Sequence, residues 1–439
     1  MGVYNPFAGF TALAGFRSIR LAAVGLAAAL AAAGGGTGAG TAAAADLFRL
    51  DGTVTGTGGG SQSASATFTA IEDLANKLDN NGLRSLFSSY TSVSATNATL
   101  NIRGLPATAS YALNSTALRF QVPSAGIDLT FQGATRDQSQ DQFLDFLKGN
   151  GSSILSRLLK TLVAESPVDP IAGNPSSLQG RMSEQTFGNA TGFGTLGDPF
   201  GSRNGQGGFQ AVPGLITAGG DVGVARSGGY NSVIATVPIK YSYYFSDPRY
   251  AITVDLPITY VRTEGAQSGQ ASFGTSFRFP VVDNWFLVPS VRIGAAGSLD
   301  LGAGALMYSG DLTSVYNLYT GDLKVTIGNG VGFYRSQKLS IGDVSLDYDL
   351  RNTALKNGVS VEGPLDFTMF DSPTSWQVYV TDTQMFGDKL YVEHYDEVGV
   401  LFGTRPTLDG QSWNSFRLGV SYTHGNDYNA LKANFGYRF

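Results

Sequence analysis

The chain has 439 residues, only 14% of them charged, with 58 glycines, 27 phenylalanines, 20 tyrosines and a formal charge of -5. So little charge is unusual for a water-soluble chain of this length, and the mild acidity, with no basic patch interleaved with aromatics, excludes a nucleic-acid binder. Cysteine is absent, which excludes disulfide staples, thiolate metal sites and cysteine nucleophiles.

Arg17 and Arg20 precede a thirteen-residue apolar run, Leu21–Ala33, and small residues lead to Ala43-Ala44-Ala45 before Asp46. This is the layout of a cleavable signal peptide, 1–45, too short to span a bilayer as a helix.

Residues 46–170 mix short strands and helices and predict a small α+β domain. Gly52–Ser65 is rich in Gly, Ser and Thr and is expected to be flexible. Thr69–Leu78 has apolar residues at helical spacing, with Thr69 as N-cap and Glu72 as its capping-box partner. Ala98–Ile102, Leu118–Val122 and Ile127–Phe131 predict strands; Ser139–Lys148 and Ser152–Ala164 predict amphipathic helices. A Gly/Pro-rich linker, 171–210, follows, in which Leu178–Phe187 is the one candidate for a further helix.

From 211 to 439 the pattern changes to period two, which sends alternate side chains to opposite faces of a strand. Val233, Ala235, Val237, Ile239, Tyr241 and Tyr243 oppose Thr236, Lys240 and Ser242; Ile252, Val254, Leu256 and Ile258 oppose Thr253, Asp255 and Thr259. Phe416, Leu418, Val420 and Tyr422, and finally Leu431, Ala433, Phe435, Tyr437 and Phe439, continue the series. Such runs predict an all-β transmembrane antiparallel β-barrel of about twelve strands, apolar face to lipid and polar face to the lumen. The run Asp343–Leu350 predicts one strand, and Pro364 and Pro373 interrupt the next.

On the polar parity stand Lys240, Asp255, Arg278, Arg292, Lys324, Arg417, Lys432 and Arg438. A lumen so lined predicts an anion-favouring pore, or a basic receptor for an acidic plug such as Asp137–Asp141, and small inward residues such as Ser421 are expected to accept arginine. Gly328 and Gly330, inside a strand, imply close packing or lumen space. The only histidines are His394, in the ionisable cluster Glu393–Glu397, and His424, in a polar turn. A solvated strand end accounts for both, and neither a catalytic site, a cofactor nor a metal is expected.

Signal, N-terminal domain, barrel and terminal Phe together resemble bacterial outer-membrane β-barrel proteins, loosely those of the autotransporter type. In Lys432, Tyr437 and Phe439 the last strand is similar to that family's barrel-assembly signal. The resemblance implies a location in the bacterial outer membrane and partners that are outer-membrane lipid, barrel-assembly machinery and periplasmic chaperones. It also implies that the barrel anchors, and assists the export of, the N-terminal domain, with a helix in the pore. A pore with a plug or periplasmic domain is the alternative, and a membrane enzyme the third class.

Overall fold

The computed structural model describes residues 46–150, 152–195, 214–341, 344–404 and 415–438. The expected signal peptide, residues 196–210 of the linker and Phe439 lie outside the described residues.

The N-terminal domain is a six-stranded antiparallel sheet in the order β2-β1-β3-β4-β5-β6. Its strands are β1 (Phe48–Thr55), β2 (Ser61–Phe68), β3 (Ala95–Ile102), β4 (Leu105–Tyr111), β5 (Leu118–Val122) and β6 (Ile127–Phe131). The segment expected to be flexible is thus the β1–β2 hairpin, paired from Phe48↔Phe68 to Thr55↔Ser61. Its Ser/Thr side chains alternate over a strand whose partner face is solvent, so the pattern lacks the large apolar residues that announce a strand.

Four helices complete the domain: α1 (Ile71–Ala75), α2 (Asn80–Leu86), α3 (Arg136–Asp145) and α4 (Ser152–Glu165). The expected cap at Thr69 does not form; α1 starts after Ala70, which makes no side-chain cap hydrogen bond. Asp79 and Thr135 do cap, accepting from the N–H groups of Gly82 and Gln138. Phe48, Leu50, Leu100, Phe120 and Phe143 form a buried core between sheet and helices, with Phe120 and Phe143 rings 5.0 Å apart.

Twelve strands close into a barrel: β7 (Gly214–Ser227), β8 (Tyr230–Tyr244), β9 (Ala251–Thr263), β10 (Ala266–Val282), β11 (Trp285–Ser298), β12 (Ala303–Thr320), β13 (Leu323–Gln337), β16 (Arg351–Met369), β17 (Ser372–Gly387), β18 (His394–Thr404), β19 (Ser415–Gly425) and β20 (Tyr428–Arg438). Closure is made by β20 on β7, from Tyr428↔Ser227 to Arg438↔Thr217, so no edge remains unpaired. Asp343–Leu350 is not a barrel strand. Val344–Leu346 (β15) pairs with Leu339–Ile341 (β14) in a small hairpin at the rim. Pro364 sits inside β16 beside a register shift at Leu365/Thr368, where the ladder already lacks a regular bond.

The outer surface is apolar over the named parity: Val237, Ile239, Val291, Phe333, Val400, Val420 and Phe435 are all exposed. Exposed Tyr243, Phe245, Tyr250 and Phe277 cluster where the chain enters and leaves the barrel, with Tyr243 and Phe245 rings 5.3 Å apart. An apolar band edged by aromatics suits a hydrocarbon layer with its interface. No described helix is long and apolar enough to cross a membrane. The crossing is made by strands.

Both barrel ends of the chain, Gly214 and Arg438, lie at one rim, because an even number of strands returns the last to the side of the first. The N-terminal domain sits on the opposite rim. There Ile71 N–H donates to the Asp300 carbonyl at 2.9 Å, Lys160 meets Asp388 at 3.1 Å, and Tyr230 OH donates to the Asp46 carbonyl.

Val420, mid-strand on β19 and half exposed, offers the direct check on the lipid-facing parity. Val420→Arg is expected to lower barrel stability by about 2–4 kcal/mol, read as a lower urea midpoint in a gel-mobility assay of the folded form. Gly58→Arg, in the exposed β1–β2 turn, is expected to stay within about 0.5 kcal/mol of the parent.

Candidate functional site: a helix inside the barrel

The segment expected to be a linker, with Leu178–Phe187 as its one candidate helix, contains a fifth helix at that place, α5 (Leu178–Thr191), and it runs down the barrel lumen. Fourteen residues at 1.5 Å rise give roughly 21 Å, enough to carry the chain most of the way between the rims. Leu178, Gln179, Gly180, Arg181, Met182, Ser183, Thr186, Phe187 and Gly188 are all buried, so burial surrounds the helix although half of these side chains are polar. Such a helix is stable only where the surrounding wall is polar too.

The barrel wall supplies that surface. Arg181 meets Asp221 of β7 at 2.8 Å and its own Glu184 at 2.9 Å, and it also donates to the Thr236 hydroxyl. Glu184 accepts from Lys432 of β20 at 2.7 Å, and Lys432 lies 3.0 Å from Glu397 of β18. Glu397 accepts in turn from Tyr379 OH at 2.7 Å and the Thr423 hydroxyl at 3.0 Å. On another side, Arg292 of β11 donates to Thr186 at 3.1 Å, to Ser272 at 3.0 Å and to Asp255 at 2.8 Å. Lys356 of β16 stands over the Phe187 ring, 5.5 Å from its centre. The charges alternate in sign from helix to wall, which is what makes so dense a buried cluster sustainable.

Glycines make room for the helix. A Cβ built on Gly294 of β11 would lie 2.9 Å from Leu178 and 3.0 Å from Met182. One on Gly328 of β13 would meet Thr191 at 2.6 Å and Phe187 at 2.9 Å. The wall is therefore hollowed along the line the helix follows.

The chain enters the lumen through a buried bend, Ser166–Ser177. Asp169 accepts from the N–H groups of Ile171 at 2.9 Å and Ala172 at 3.2 Å, and Asn174 donates to the Pro167 and Asp169 carbonyls. Leu178 N–H and Gln179 N–H, which no helical carbonyl can satisfy, donate to the Pro170 and Ile171 carbonyls. Ser177 caps the helix, and Gly192, left-handed at φ 78°, ends it. Arg103 of the β3–β4 turn lies 3.6 Å from Asp169, both fully buried. Burial pushes the Asp169 carboxyl up, against the opposing pull of Arg103 and the bend's N–H groups.

Of the inward residues read from the sequence, Asp255, Arg292, Arg417, Lys432 and Arg438 are buried, and Lys240, Arg278 and Lys324 are half-buried. Arg292, Asp255 and Lys432 belong to the helix-holding cluster. Arg417 meets Glu362 at 2.6 Å, and Arg278 donates to the Arg249 and Pro248 carbonyls of the β8–β9 turn. Lys240 and Arg438 line the same small cavity, beside Asn189 and Ala190 at the helix's far end. Lys324 is near the chain-end rim, opposite Glu362 in the ladder.

The lumen wall carries acids besides Asp255. Asp221, Asp311, Glu362 and Glu397 also lie on the lumen side and pair with the basic groups or with tyrosines, so the wall is mixed in sign. Ser421, expected to accept arginine, is 2% exposed in this filled lumen and has no such space. The acidic stretch Asp137–Asp141 is not the plug either; it is part of α3, in the N-terminal domain.

Strand parity divides the cluster around His394. Glu397 and Tyr395 turn inward and are buried, whereas His394 and Asp396 face out. His394 Nε2 lies 2.5 Å from Asp382 Oδ2, and Asp396 is within reach of both, all three at least partly exposed on the outer rim.

No protein-family profile matches the chain, and no curated protein sequence matches it. Among solved structures it is similar to the translocator domain of the autotransporter NalP from Neisseria meningitidis, at 13% identity over 61% of this chain and 98% of that one, with a TM-score of 0.42. The β-domain of the Bordetella autotransporter BrkA gives 13% identity over 52% of this chain and 99% of that one, with a TM-score of 0.40. The KdgM porin gives 9% identity over 51% of this chain and 99% of that one, with a TM-score of 0.32. What decides the class is the closed twelve-strand wall with its apolar, aromatic-edged exterior. The chain is an outer-membrane-type β-barrel. This outer-membrane barrel differs from an open pore in having its lumen occupied by a segment of its own chain.

Two consequences can be measured. Asp221→Asn removes one partner of a buried pair and is expected to destabilise the barrel by about 3–5 kcal/mol, more than Asp322→Asn in an exposed hairpin turn. In planar bilayers the full-length outer-membrane barrel is expected to stay closed, and deletion of 178–191 to give steady channels. Equal conductance of the two would mean that the helix does not obstruct the lumen.

Proposed function

We propose that the barrel is a membrane anchor that holds its N-terminal domain at the bacterial cell surface, with α5 as the tether through the pore. The observation that carries this reading is the path of the chain. It leaves the N-terminal domain at one rim, passes through the lumen as α5, and begins β7 at the other rim, where β20 also ends. If both barrel ends face the periplasm, the side from which such barrels are assembled, the domain stands outside. Two-residue turns stand at both rims, Asp283–Asn284 and Gly321–Asp322 at the chain-end rim and Gly228–Gly229 and Glu264–Gly265 at the domain's rim, so the reading rests on the chain path and the side of assembly. Assistance in moving the domain outward, delivery by periplasmic chaperones and insertion by the barrel-assembly machinery belong to the same proposal. The alternation of β20 through Lys432 and Tyr437 supports the last of these. No catalytic role is assigned to any residue.

Because the chain has no cysteine, single cysteines report sidedness without background. Gly58→Cys, in the β1–β2 turn, is expected to react with a membrane-impermeant maleimide on intact cells. Asp322→Cys, at the chain-end rim, is expected to react only after the outer membrane is opened. The reverse pattern would contradict surface anchoring and favour the second reading, a pore closed by a helix and carrying a periplasmic domain.

A further inference from the structure

Where the N-terminal domain meets the barrel rim there is a cavity of about 200 Å³. Protein interiors seldom contain voids larger than a water molecule, so an opening of this size calls for an occupant. Its walls are Leu74 of α1, Phe120 of β5, Phe143 of α3 and Leu158 of α4, closed on the barrel side by Leu301 and Gly302 of the β11–β12 turn. The floor is buried: Arg103 is 1% exposed there and is engaged by Asp169 behind it. The mouth is polar and open to water, with Glu72 and Asn76 exposed and Lys148 half-buried. An apolar shaft ending in a polar, solvated mouth has the shape of a site for an amphiphile's tail.

The size sets the tail. An apolar cavity of ~150 Å³ takes the six carbons of benzene, so about 200 Å³ takes roughly eight carbons of a single chain. Water has few partners there: apart from Arg103 at the floor and Ser298 on the barrel side, the shaft is lined by Leu, Ile, Phe and Ala side chains. The position points to hydrocarbon as well. Leu299, which also lines the cavity, continues the outward parity of β11 through Val291 and Ile293, both exposed on the lipid-facing wall. The cavity therefore adjoins the row of side chains that contacts acyl chains.

We propose that this cavity binds one alkyl chain of an amphiphile, a medium-chain fatty acid or one acyl tail of a lipid, with about eight carbons enclosed and the head group at the Glu72–Lys148 mouth. The inference does not depend on which side of the membrane the domain faces.

The test uses the full-length protein in outer-membrane vesicles and two probes with the same ten-carbon diazirine chain, one a free acid and one a phospholipid. Labelled peptides are mapped by mass spectrometry, with the outer face of β19 as the internal reference for ordinary lipid contact. Labelling is expected over 155–162 and 299–304. Unlabelled fatty acids should compete better by roughly fourfold per added methylene until the cavity is full, and then level off. Label from the free acid places that acid in the site; label from the phospholipid alone makes the source a membrane lipid, and both support the proposal. Ala75→Leu and Leu158→Phe, each filling the cavity, should cut this labelling at least tenfold and leave the β19 label unchanged. Should one variant fail to fold, the other and the competition series on the parent still decide. Labelling no greater than on β19, competition that rises without a plateau to fourteen carbons, or undiminished label in a folded filling variant would overturn the proposal.

Discussion

The contact between Arg181 and Glu184 on one side and Asp221 and Lys432 on the other is what the rest of this structure depends on. A twelve-strand barrel encloses more space than its own side chains fill, and a polar segment can occupy that space only if its charges are matched. Here they are matched across the interface in both directions: a helical cation to a wall carboxylate, and a helical carboxylate to a wall cation. Removal of either sign from the wall would leave its helical partner buried with only the pairing of Arg181 and Glu184 to each other to offset it. The same pairs fix the axial position of α5, which in turn fixes where the chain emerges and where the N-terminal domain can sit.

The domain is seated on the barrel. Ser166–Ser177 is buried throughout, and the β17–β18 connection is bonded to it and to α4: Val392 N–H donates to the Gly173 carbonyl of the bend and Tyr391 N–H to the Val163 carbonyl of α4. The apolar core runs without a break from Leu50 and Phe120 of the domain through Leu158 and Leu162 of α4 to Leu301 and Ala303 of the barrel rim. Movement of the domain as a unit would expose this shared surface, so the ordinary state is a docked one. A domain seated in this way has one orientation on the barrel.

The barrel was legible because lipid and lumen impose opposite chemistry on alternate residues, and a period-two contrast such as Phe435/Asn434 survives any local exception. The first N-terminal hairpin was not. Ser61–Phe68 turns Ser61, Ser63, Ser65 and Thr67 to water and only Gln62, Ala64, Ala66 and Phe68 to the other side, and its Ser/Thr content matches that of a loop. Asp343–Leu350 alternates like a strand but belongs to a rim insertion whose apolar side, Tyr348 and Leu350, is buried against the domain junction. The lumen helix left the faintest trace. A helix buried on all sides in a polar tube needs neither an apolar stripe nor an apolar run, so Leu178–Thr191 shows only its Ser177 cap and its terminal Gly192. The basic inward residues were visible from parity, but the acids that balance them were not all recognised: Glu362 stands two residues before Pro364, and Glu397 lies in a cluster that a folded strand splits between its faces.

The central claim is that α5 lies inside the barrel, against β13. A cysteine pair at Thr191 and Gly328 tests it in a chain that otherwise has none, because the Thr191 side chain comes within 2.6 Å of a Cβ placed on Gly328. Oxidation of T191C/G328C in outer-membrane vesicles is expected to join the two in high yield while the barrel keeps its folded mobility. A control pair, Thr191→Cys with Gly58→Cys, should remain unlinked. Failure of the first pair to cross-link in a barrel that is demonstrably folded would place the helix elsewhere and contradict the account.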